Sequence, residues 1–326
     1  MNTIACFGEA LIDFHTCNLS DAGQPLAFVP YAGGAPANVA VAVARLGGNA
    51  VFAGMLGKDI FGNLLFGQLA AAGVDTRYVR RTDQANTALA FVALDTHGER
   101  SFSFYRPPAA DLLFHNADYD PGMFKAVAIF HAGSCSLTAA AIADTTLDGM
   151  RHARAASALV SFDMNLRTAL WPRDTNPTAR LWQALSLADL VKLSTEEFAF
   201  LAVPMGGEDA VCKRLWQGAT RWLIVTDGAH PIRWFTRTGA GTRPVFAIHV
   251  VDSTGAGDAF VGGLLYGLAN AGVVTSTLSA FASDDVQRDT LLRFAAACGA
   301  LAVTSTGSFA AMPEYAAVTD FLETHA

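Results

Sequence analysis

Short apolar segments alternate with longer amphipathic segments along most of the chain, and this alternation restricts the fold more than any other feature. The pattern predicts strands at residues 4–7, 50–55, 126–131, 158–162, 190–193, 222–226 and 244–251. It predicts helices at residues 36–46, 60–72, 138–156, 177–187, 209–217, 259–268, 286–303 and 313–324. Strands that alternate with helices favour an α/β fold, with a mostly parallel sheet covered by helices on both faces.

Two stretches interrupt this alternation. Residues 14–31 show no helical period, and residues 87–106 resemble two strands around the turn Asp95-Thr96-His97-Gly98. Both patterns are typical of β structure with one exposed face, outside the main sheet. We predict that they form a small β lid over a site within a single domain spanning residues 1–326. An ordinary pair of edge hairpins is the alternative.

The composition excludes several classes of protein. Hydrophobic residues make up 52% of the 326 residues, the net charge is −7, and no basic block is present. Nucleic-acid binding is therefore not expected. The apolar run at residues 259–274 contains Asn270 and is too short to span a bilayer, so no membrane partner is expected. The cysteines are odd in number and form no CxxC pair, which indicates reduced thiols in a cytoplasmic protein: Cys6, Cys17, Cys135, Cys212 and Cys298.

The run Asp252-Ser253-Thr254-Gly255-Ala256-Gly257-Asp258 carries the chemistry. It precedes an expected helix, whose first backbone N–H groups are unpaired and hold anions, phosphate above all. A carboxylate beside that anion site repels phosphate, but it suits a base that takes a proton from a hydroxyl. The run therefore suggests phosphoryl transfer to an alcohol. A plain helix cap, or a fragment of a dinucleotide fingerprint, is the alternative at this point.

A second motif lies more than two hundred residues earlier. It reads Gly33-Gly34-Ala35-Pro36-Ala37-Asn38-Val39-Ala40 and continues through Arg45-Leu46-Gly47. With both motifs in this order, the chain resembles the ribokinase-like (PfkB) family of carbohydrate kinases over essentially its whole length. Within that family it looks most like the fructokinases. The resemblance implies a ribokinase-like α/β fold and an enzyme that uses ATP and Mg²⁺ to phosphorylate a small-molecule sugar.

The resemblance also implies which residues bind the sugar. Asp13 follows the first strand, where open α/β sheets place ligands, and would accept hydrogen bonds from sugar hydroxyls. Arg106 lies in a Tyr-Arg-Pro-Pro-Ala-Ala-Asp stretch similar to one in fructokinases, and would reach the sugar or the phosphate from the lid. Arg167 closes the run Asp163-Met164-Asn165-Leu166-Arg167, which resembles the family's Asp-x-Asn-x-Arg run. The full sugar-binding set is Asp13, Gly33, Gly34, Asn38, Arg106 and Arg167.

The same resemblance makes Asp258 the general base, with Gly255, Ala256 and Gly257 as the anion hole. The residues implied to bind the nucleotide are Ser194, Glu197, Thr226, Gly228 and Ser253. Glu197 would act on Mg²⁺ through bound water, because Mg²⁺ keeps several waters and uses few protein carboxylates. Ser194 and Glu197 also fit a capping box, and both roles can hold together.

Many family members use a monovalent cation beside the anion hole. The matching positions for K⁺ are Asp252, Thr254, Ala302, Ser305 and Gly307, largely through backbone carbonyls. A Ser that is often found at the position of Ala311 is missing here, so one ligand of the K⁺ site is not assigned.

The substrate expected from the resemblance is fructose, with fructose 6-phosphate as the product. Ala35 stands where ribokinases usually carry Lys, which argues against ribose. The alternatives are a 2-keto-3-deoxygluconate kinase or another PfkB sugar kinase, a nucleoside kinase, and a catalytically silent sugar-binding regulator. A homodimer is expected, with Phe91, Val92 and Phe102 of the lid as candidate contacts.

Overall fold

The computed structural model describes residues 2–17, 27–94, 100–106, 108–173 and 175–325. Within these ranges the strands are β1 (Thr3–Phe7), β2 (Leu11–Cys17), β3 (Ala27–Gly33), β4 (Asn49–Gly57), β5 (Asp75–Thr82), β6 (Leu89–Leu94), β7 (Arg100–Tyr105), β8 (Val127–Gly133), β9 (Leu159–Asp163), β10 (Leu190–Ser194), β11 (Trp222–Asp227), β12 (His230–Phe235) and β13 (Ala240–Arg243). The helices in the same ranges are α1 (Ala35–Arg45), α2 (Ile60–Ala71), α3 (Pro121–Ala126), α4 (Ala140–Ala155), α5 (Thr178–Leu187), α6 (Thr195–Ala202), α7 (Glu208–Gln217), α8 (Ala256–Asn270), α9 (Leu278–Ser283), α10 (Asp285–Ala302), α11 (Ser308–Ala311) and α12 (Tyr315–Thr324).

The main sheet has nine strands in the order β13-β12-β11-β10-β9-β8-β1-β4-β5. From β11 to β5 every neighbouring pair is parallel, and only β12 and β13, at one edge, run antiparallel. Parallel strands end at the same edge of a sheet, so the loops that follow β1, β9 and β10 lie close together. The predicted mostly parallel sheet is confirmed.

Side-chain alternation along the central strands divides the core into two layers. In β1, Ile4 and Cys6 pack in one apolar cluster, whereas Ala5 and Phe7 pack in the other. The first cluster includes buried residues of α1, α8 and α10, and the second includes those of α4, α5 and α7. A strand that buries both faces must be apolar throughout, which is the pattern seen in the sequence. Helices on both faces are therefore confirmed.

A separate sheet of four strands has the order β3-β2-β6-β7 and is called the small sheet below. Its strands fall on the two stretches that interrupt the strand–helix alternation, and they extend the first stretch to Leu11 and Gly33. The predicted turn at residues 95–98 lies outside the described residues. For Val92 and Phe102 the structure describes the backbone alone.

The strand predicted at residues 244–251 is wrong. β13 ends at Arg243, and the segment that follows pairs with no strand of the described residues. Its apolar side chains pack against helices instead, since the ring of Phe246 lies 4.9 Å from that of Phe321 in α12. The sequence pattern also missed β5, β12 and β13, which lie toward the two edges of the sheet and carry many polar residues.

The described cysteines form no disulfide. Cys6, Cys135 and Cys298 are buried thiols and Cys212 is half-buried; the side chain of Cys17 lies outside what the structure describes. Within the described ranges, every helix falls short of the length or the apolar character that crossing a bilayer requires.

Candidate active site

A cavity of about 410 Å³ opens where the parallel strands end, between the main sheet, the small sheet and the first turn of α8. The residues around it carry many charges. The acidic residues that line it are Glu9, Asp13, Asp163, Glu196, Glu197 and Asp258, and the basic ones are Arg106, Arg167 and Lys192. Most of the site residues predicted from the sequence border this cavity.

The run at residues 252–258 folds as the start of α8. Gly255 is the N-cap, with a φ of 78° that favours glycine. The first intrahelical bond joins the backbone N–H of Ala259 to the carbonyl of Gly255, at 2.8 Å. The N–H groups of Gly257 and Asp258 therefore precede the first helical hydrogen bond and are available to an anion. Gly255, Gly257 and Asp258 all line the cavity.

A hydrogen bond joins the two sequence motifs. Asn38, in the first turns of α1, donates from Nδ2 to Oδ2 of Asp258 at 2.7 Å, across 220 residues of sequence. Both side chains are buried. Burial raises the pKa of Asp258, while the Asn38 amide and the charges of Lys192 and Arg167 oppose that rise. The donor of Asn38 thus orients the carboxylate, and its acceptor Oδ1 has no hydrogen-bond partner in the described part of the chain.

Lys192 supplies a buried positive charge that the sequence analysis missed. Its Nζ lies 3.2 Å from Oδ2 of Asp163, and a Cβ atom built on Gly257 would lie 3.2 Å from the same nitrogen. Burial favours the neutral amine, but the charges of Asp163 and Glu197 outweigh that effect and raise the pKa of Lys192. The ammonium therefore stays charged beside the N-terminus of α8.

Glu197 holds two segments of the site together. One carboxylate oxygen accepts from the backbone N–H of Ser194 at 2.8 Å, and the Ser194 hydroxyl accepts from the N–H of Glu197 at 3.2 Å, so the predicted capping box is present. The other oxygen accepts from the N–H of Leu166 at 2.6 Å. Arg167 is the next residue along the chain. Glu197 therefore fixes the loop that carries Arg167 as well as the start of α6.

Asp13 lies on β2 directly against β3. A Cβ atom on Gly33 would collide with Oδ2 of Asp13, so a larger residue at this position would displace the carboxylate. Burial raises the pKa of Asp13 to about 7, and the negative charge of Asp258 adds to the effect. Gly34 has a φ of 103°, and a Cβ there would lie 2.6 Å from the carbonyl oxygen of Glu9. The two glycines let the backbone approach the carboxylates of the site.

Arg106 forms a buried ion pair. Its Nε and Nη2 donate to Oδ2 of Asp111, at 2.9 and 2.5 Å, and its Nη1 donates to the hydroxyl of Thr138 at 3.2 Å. The side chains of Arg106 and Asp111 are only 2% and 3% exposed. Arg106 lines the cavity, as predicted, but most of its donors already face protein acceptors. A substrate would meet a neutralised guanidinium.

The residues proposed for a monovalent cation lie around Asp252. Its Oδ1 accepts from the N–H of Thr254 at 2.9 Å, and its Oδ2 accepts from the N–H of Gly307 at 3.3 Å. Asp252 therefore joins the loop before α8 to the loop after α10, which contains Ser305, and Ala302 is the last residue of α10. Among the residues that the structure describes, no three His, Cys, Asp or Glu side chains cluster as a metal site. Any ion here would depend on backbone carbonyls.

Thr226 and Gly228 lie at the neighbouring strand end, beyond the cavity wall. Thr226 pairs with Ser194 across β10 and β11, and Gly228 follows β11 with a φ of 53°. Ser194 and Ser253 line the cavity itself. The predicted nucleotide residues thus form a row from the cavity along the edge of the sheet, as an elongated ligand would need.

Three residues with a place in this site were missed by the sequence reasoning: Glu9, Asp111 and Lys192. Each stands close to a residue that was assigned, since Glu9 precedes Asp13, Asp111 closes the stretch that contains Arg106, and Lys192 precedes Ser194. A charged residue within an apolar strand, as Lys192 is in β10, is the one signal that marks such a position.

Known proteins that resemble this chain do so over nearly its whole length. Fructokinase-1 of Oryza sativa subsp. japonica is 41% identical over 322 residues, which is 98% of this chain and 97% of that protein. The solved structure of a fructokinase from Xylella fastidiosa with bound ATP matches at a TM-score of 0.95 and 54% identity, and covers 99% of this chain and 98% of its own. A double mutant of the fructokinase from Vibrio cholerae O395, in a fructose, ADP and potassium ion bound form, matches at a TM-score of 0.85 and 31% identity, and covers 99% and 98%.

The model of the pfkB family carbohydrate kinases matches residues 1–314. The match includes both sequence motifs and every strand of the two sheets. The fold and the family implied by the sequence resemblance are therefore confirmed. This chain belongs to the pfkB family of carbohydrate kinases, phosphotransferases that act on a sugar hydroxyl.

Proposed function

We propose that this protein is an ATP-dependent fructokinase that converts ATP and D-fructose into ADP and D-fructose 6-phosphate. The contact between Asn38 and Asp258 carries the proposal, because it places a buried carboxylate at the N-terminus of α8, inside a cavity large enough for a sugar. Relatives that cover nearly the whole chain are named fructokinases, which favours fructose as the acceptor.

The proposed base is Asp258. The sugar lies between Asp13, Gly34 and Asn38, with the hydroxyl that will be phosphorylated facing the carboxylate of Asp258. As that oxygen attacks the γ-phosphorus in line, Asp258 accepts its proton, and the bond between the γ-phosphorus and the bridging oxygen of ADP breaks. The raised pKa of Asp258 suits this role, since a stronger base takes a hydroxyl proton more readily.

The charge of the migrating phosphoryl group meets donors that are in place before the reaction. These are the N–H groups of the first turn of α8, the ammonium of Lys192, and Arg167 at the edge of the cavity. Mg²⁺ bound with ATP would neutralise part of the charge of the phosphates. Glu197 fits a role through metal-bound water, because both its oxygens already accept backbone N–H groups.

A coupled assay of ADP release with MgATP tests the substrate. The sugars to compare are fructose, 2-keto-3-deoxygluconate, ribose, glucose and mannose, with adenosine as a nucleoside. We expect kcat/KM for fructose to exceed the others by at least about a hundredfold. A preference for the keto-deoxy acid would overturn the assignment of fructose while keeping the base and the anion site. A lack of turnover on every acceptor would favour the silent sugar-binding regulator.

We also propose that K⁺ binds beside the anion site. The backbone carbonyls near Asp252 and Gly307 are the candidate ligands, and the double mutant of the fructokinase from Vibrio cholerae O395 has a potassium-bound form. The comparison is kcat in buffers of K⁺, Na⁺ and tetramethylammonium at equal ionic strength. Higher activity in K⁺ is the expected result, and equal activity in all three would exclude a role for the ion.

The small sheet is proposed to act as a lid and to form a homodimer contact. Its strands carry a row of rings, in which Phe91 lies 5.3 Å from Phe28 and 5.2 Å from Tyr105. Phe28 and Tyr105 are 36% and 67% exposed, which is unusual for large apolar side chains. Tyr105→Glu should shift the molar mass measured by light scattering from dimer to monomer.

The free thiols of the described cysteines agree with the cytoplasmic location that we propose.

A further inference from the structure

Glu9 is a buried carboxylate at the carboxyl end of β1, and its position is not explained by the catalytic step. It is 3% exposed and lines the cavity. One oxygen, Oε1, accepts from the backbone N–H of Ala35, the first residue of α1, at 3.2 Å. The other oxygen, Oε2, is buried and has no hydrogen-bond partner in the part of the chain that the structure describes. A buried charged oxygen without a donor is costly, so a ligand is expected to supply one.

The neighbours of Glu9 are the residues that the family resemblance assigns to the sugar. Its backbone carbonyl lies against Gly34, and its charge raises the pKa of Asp13. Asn38, whose free acceptor also needs a donor, stands three residues beyond Ala35 on the same helix. The sugar end of the cavity, which we define as Glu9, Asp13, Gly34 and Arg106, thus presents several acceptors. A polyhydroxy ligand supplies hydroxyl donors in matching number.

The charges at the sugar end also do not balance. The guanidinium of Arg106 is paired with Asp111, and both side chains are buried, so this pair is close to neutral as a unit. Glu9 and Asp13 add two more carboxylates, and the nearby charges of Arg106 and Arg167 lower their pKa values without cancelling the rise that burial causes. A substrate carboxylate placed here would be repelled by both, whereas a neutral sugar would not.

We propose that Oε2 of Glu9 accepts a hydrogen bond from a hydroxyl of the acceptor sugar. Glu9 thereby also selects neutral sugars over sugar acids, because the neighbouring Arg106 is already paired with Asp111. The inference rests on the proposed kinase function and adds a specificity-determining residue to it. Burial raises the pKa of Glu9 to about 7 in the free protein. A hydroxyl donor favours the charged form, so sugar binding and ionisation of Glu9 support each other.

The test is Glu9→Gln in the full-length enzyme, with MgATP saturating. The amide keeps the shape and an oxygen for the N–H of Ala35, but it presents NH₂ to the sugar and removes the charge. We expect KM for fructose to rise about ten- to a hundredfold while kcat changes less than about threefold. The ratio of kcat/KM for fructose to that for 2-keto-3-deoxygluconate should fall by at least about tenfold.

A cycle of enzyme and substrate changes shows whether Glu9 touches the sugar. Monodeoxy analogues of fructose, each lacking one hydroxyl, are measured with the wild-type enzyme and with Glu9→Gln. One analogue should lose affinity with the wild type and lose almost nothing further with the variant, because its missing hydroxyl is the partner of Glu9. Additive losses for every analogue would overturn the proposal.

The matched control is Asp284→Asn, which alters the exposed carboxylate that caps α10 far from the cavity. It should lower Tm slightly and leave KM for every sugar unchanged. If Glu9→Gln behaves in the same way, Glu9 only caps α1 and the proposal fails.

If Glu9→Gln does not fold, Glu9→Asp, which keeps the charge but withdraws the oxygen, is measured with the same deoxy analogues. If the wild type uses a different neutral sugar, the fructose assignment alone fails and that sugar's deoxy series decides. A wild-type preference for a sugar acid overturns the selection argument.

Discussion

The two ends of the cavity are built in different ways. The phosphate end is the first turn of α8 with Asp258, which come from one run of seven residues, and Lys192 and Arg167 add positive charge beside it. The sugar end draws Glu9 from the end of β1, Asp13 from β2, Gly34 from the start of α1 and Arg106 from the end of β7. The first end depends on helix geometry, and the second depends on how two sheets meet.

Because the two ends are built differently, they contribute differently to the rate and to the choice of substrate. Backbone N–H groups at a helix start bind any phosphate, so the phosphate end gives rate rather than choice of substrate. Side chains from separate segments can be changed one at a time, so the sugar end can set specificity. We therefore expect substitutions at the phosphate end to change kcat, and substitutions at the sugar end to change KM or stability.

The largest effect is expected for Asp258→Asn. The amide can still accept from Asn38 but is far too weak a base, so kcat should fall by about 10²–10⁴-fold. The dissociation constant of fructose, measured by calorimetry without turnover, should change less than about threefold. A kcat within tenfold of the wild type would show that another group takes the proton, and a large loss of fructose affinity would mean that the two ends are not separable.

The next effect belongs to the sugar end. Asp111→Asn leaves the buried guanidinium of Arg106 without its counter-charge, which should lower the free energy of unfolding by about 3–5 kcal/mol in urea titrations. Where the variant is folded, Arg106 can pair with a substrate anion, so activity on 2-keto-3-deoxygluconate should rise relative to fructose.

The control for Asp111→Asn is Asp148→Asn. Asp148 pairs with Arg151 one helical turn along α4, and that arginine is about half exposed. Surface pairs of this kind contribute at most about 1 kcal/mol. If the two variants lose equal stability, the Arg106–Asp111 pair is not the rigid unit that the comparison of the two ends assumes.

The helix start and the base of the phosphate end could be predicted from sequence because they are contiguous, whereas Lys192, on the separate strand β10, was missed. The glycines, the helix start and Asp258 occur in one run whose geometry follows from local rules. Glu9 and Asp111 could not be assigned, because their roles depend on long-range contacts with Ala35 and Arg106 that no local pattern encodes. The main sheet followed from its buried strands, whereas the edge strands, with half-polar sequences, did not.

The segment at residues 244–251 is the opposite case, in which the local pattern predicts a strand that the structure does not have. Its apolar residues fit a strand, and local rules cannot tell pairing with a neighbour from packing against a helix. The structure uses Phe246 to pack on α12, and Val251 donates its N–H to the carbonyl of Val303, at 2.8 Å. Tertiary contacts override the strand pattern there.

A smaller effect is expected at Glu197. This residue joins Ser194 to the loop of Arg167, so it acts on the phosphate end of the cavity only indirectly. In Glu197→Gln one of the two backbone N–H groups faces an amide NH₂ and loses its acceptor. We expect kcat/KM for ATP to fall about tenfold and amide hydrogen exchange to quicken at residues 165–168. Asp120→Asn, which changes the cap of α3, is the control and should change neither measurement. Faster exchange without loss of activity would show that the Arg167 loop is not part of the phosphate end.

The smallest effect is the dependence of stability on pH. The folded-state pKa values of Glu9 and Asp13 are raised to about 7, whereas unfolded carboxyl groups titrate near about 4. Because both groups bind protons more tightly when folded, their contribution to stability is complete below about pH 4 and is lost as pH rises toward 7. The Tm of the ligand-free protein should therefore fall by about 2–4 °C between pH 5.5 and 8.

Saturating fructose should flatten this dependence, because its hydroxyls donate to the two carboxylates and lower their pKa values in the folded state. ATP without sugar should not flatten the slope, since its negative charge lies at the other end of the cavity and favours the protonated form of Asp258. Differential scanning calorimetry of the free, fructose-bound and ATP-bound protein measures all three slopes. If ATP flattened the slope as much as fructose does, the carboxylates would respond to the cavity as a whole, and the division between a rate-giving end and a selecting end would not hold.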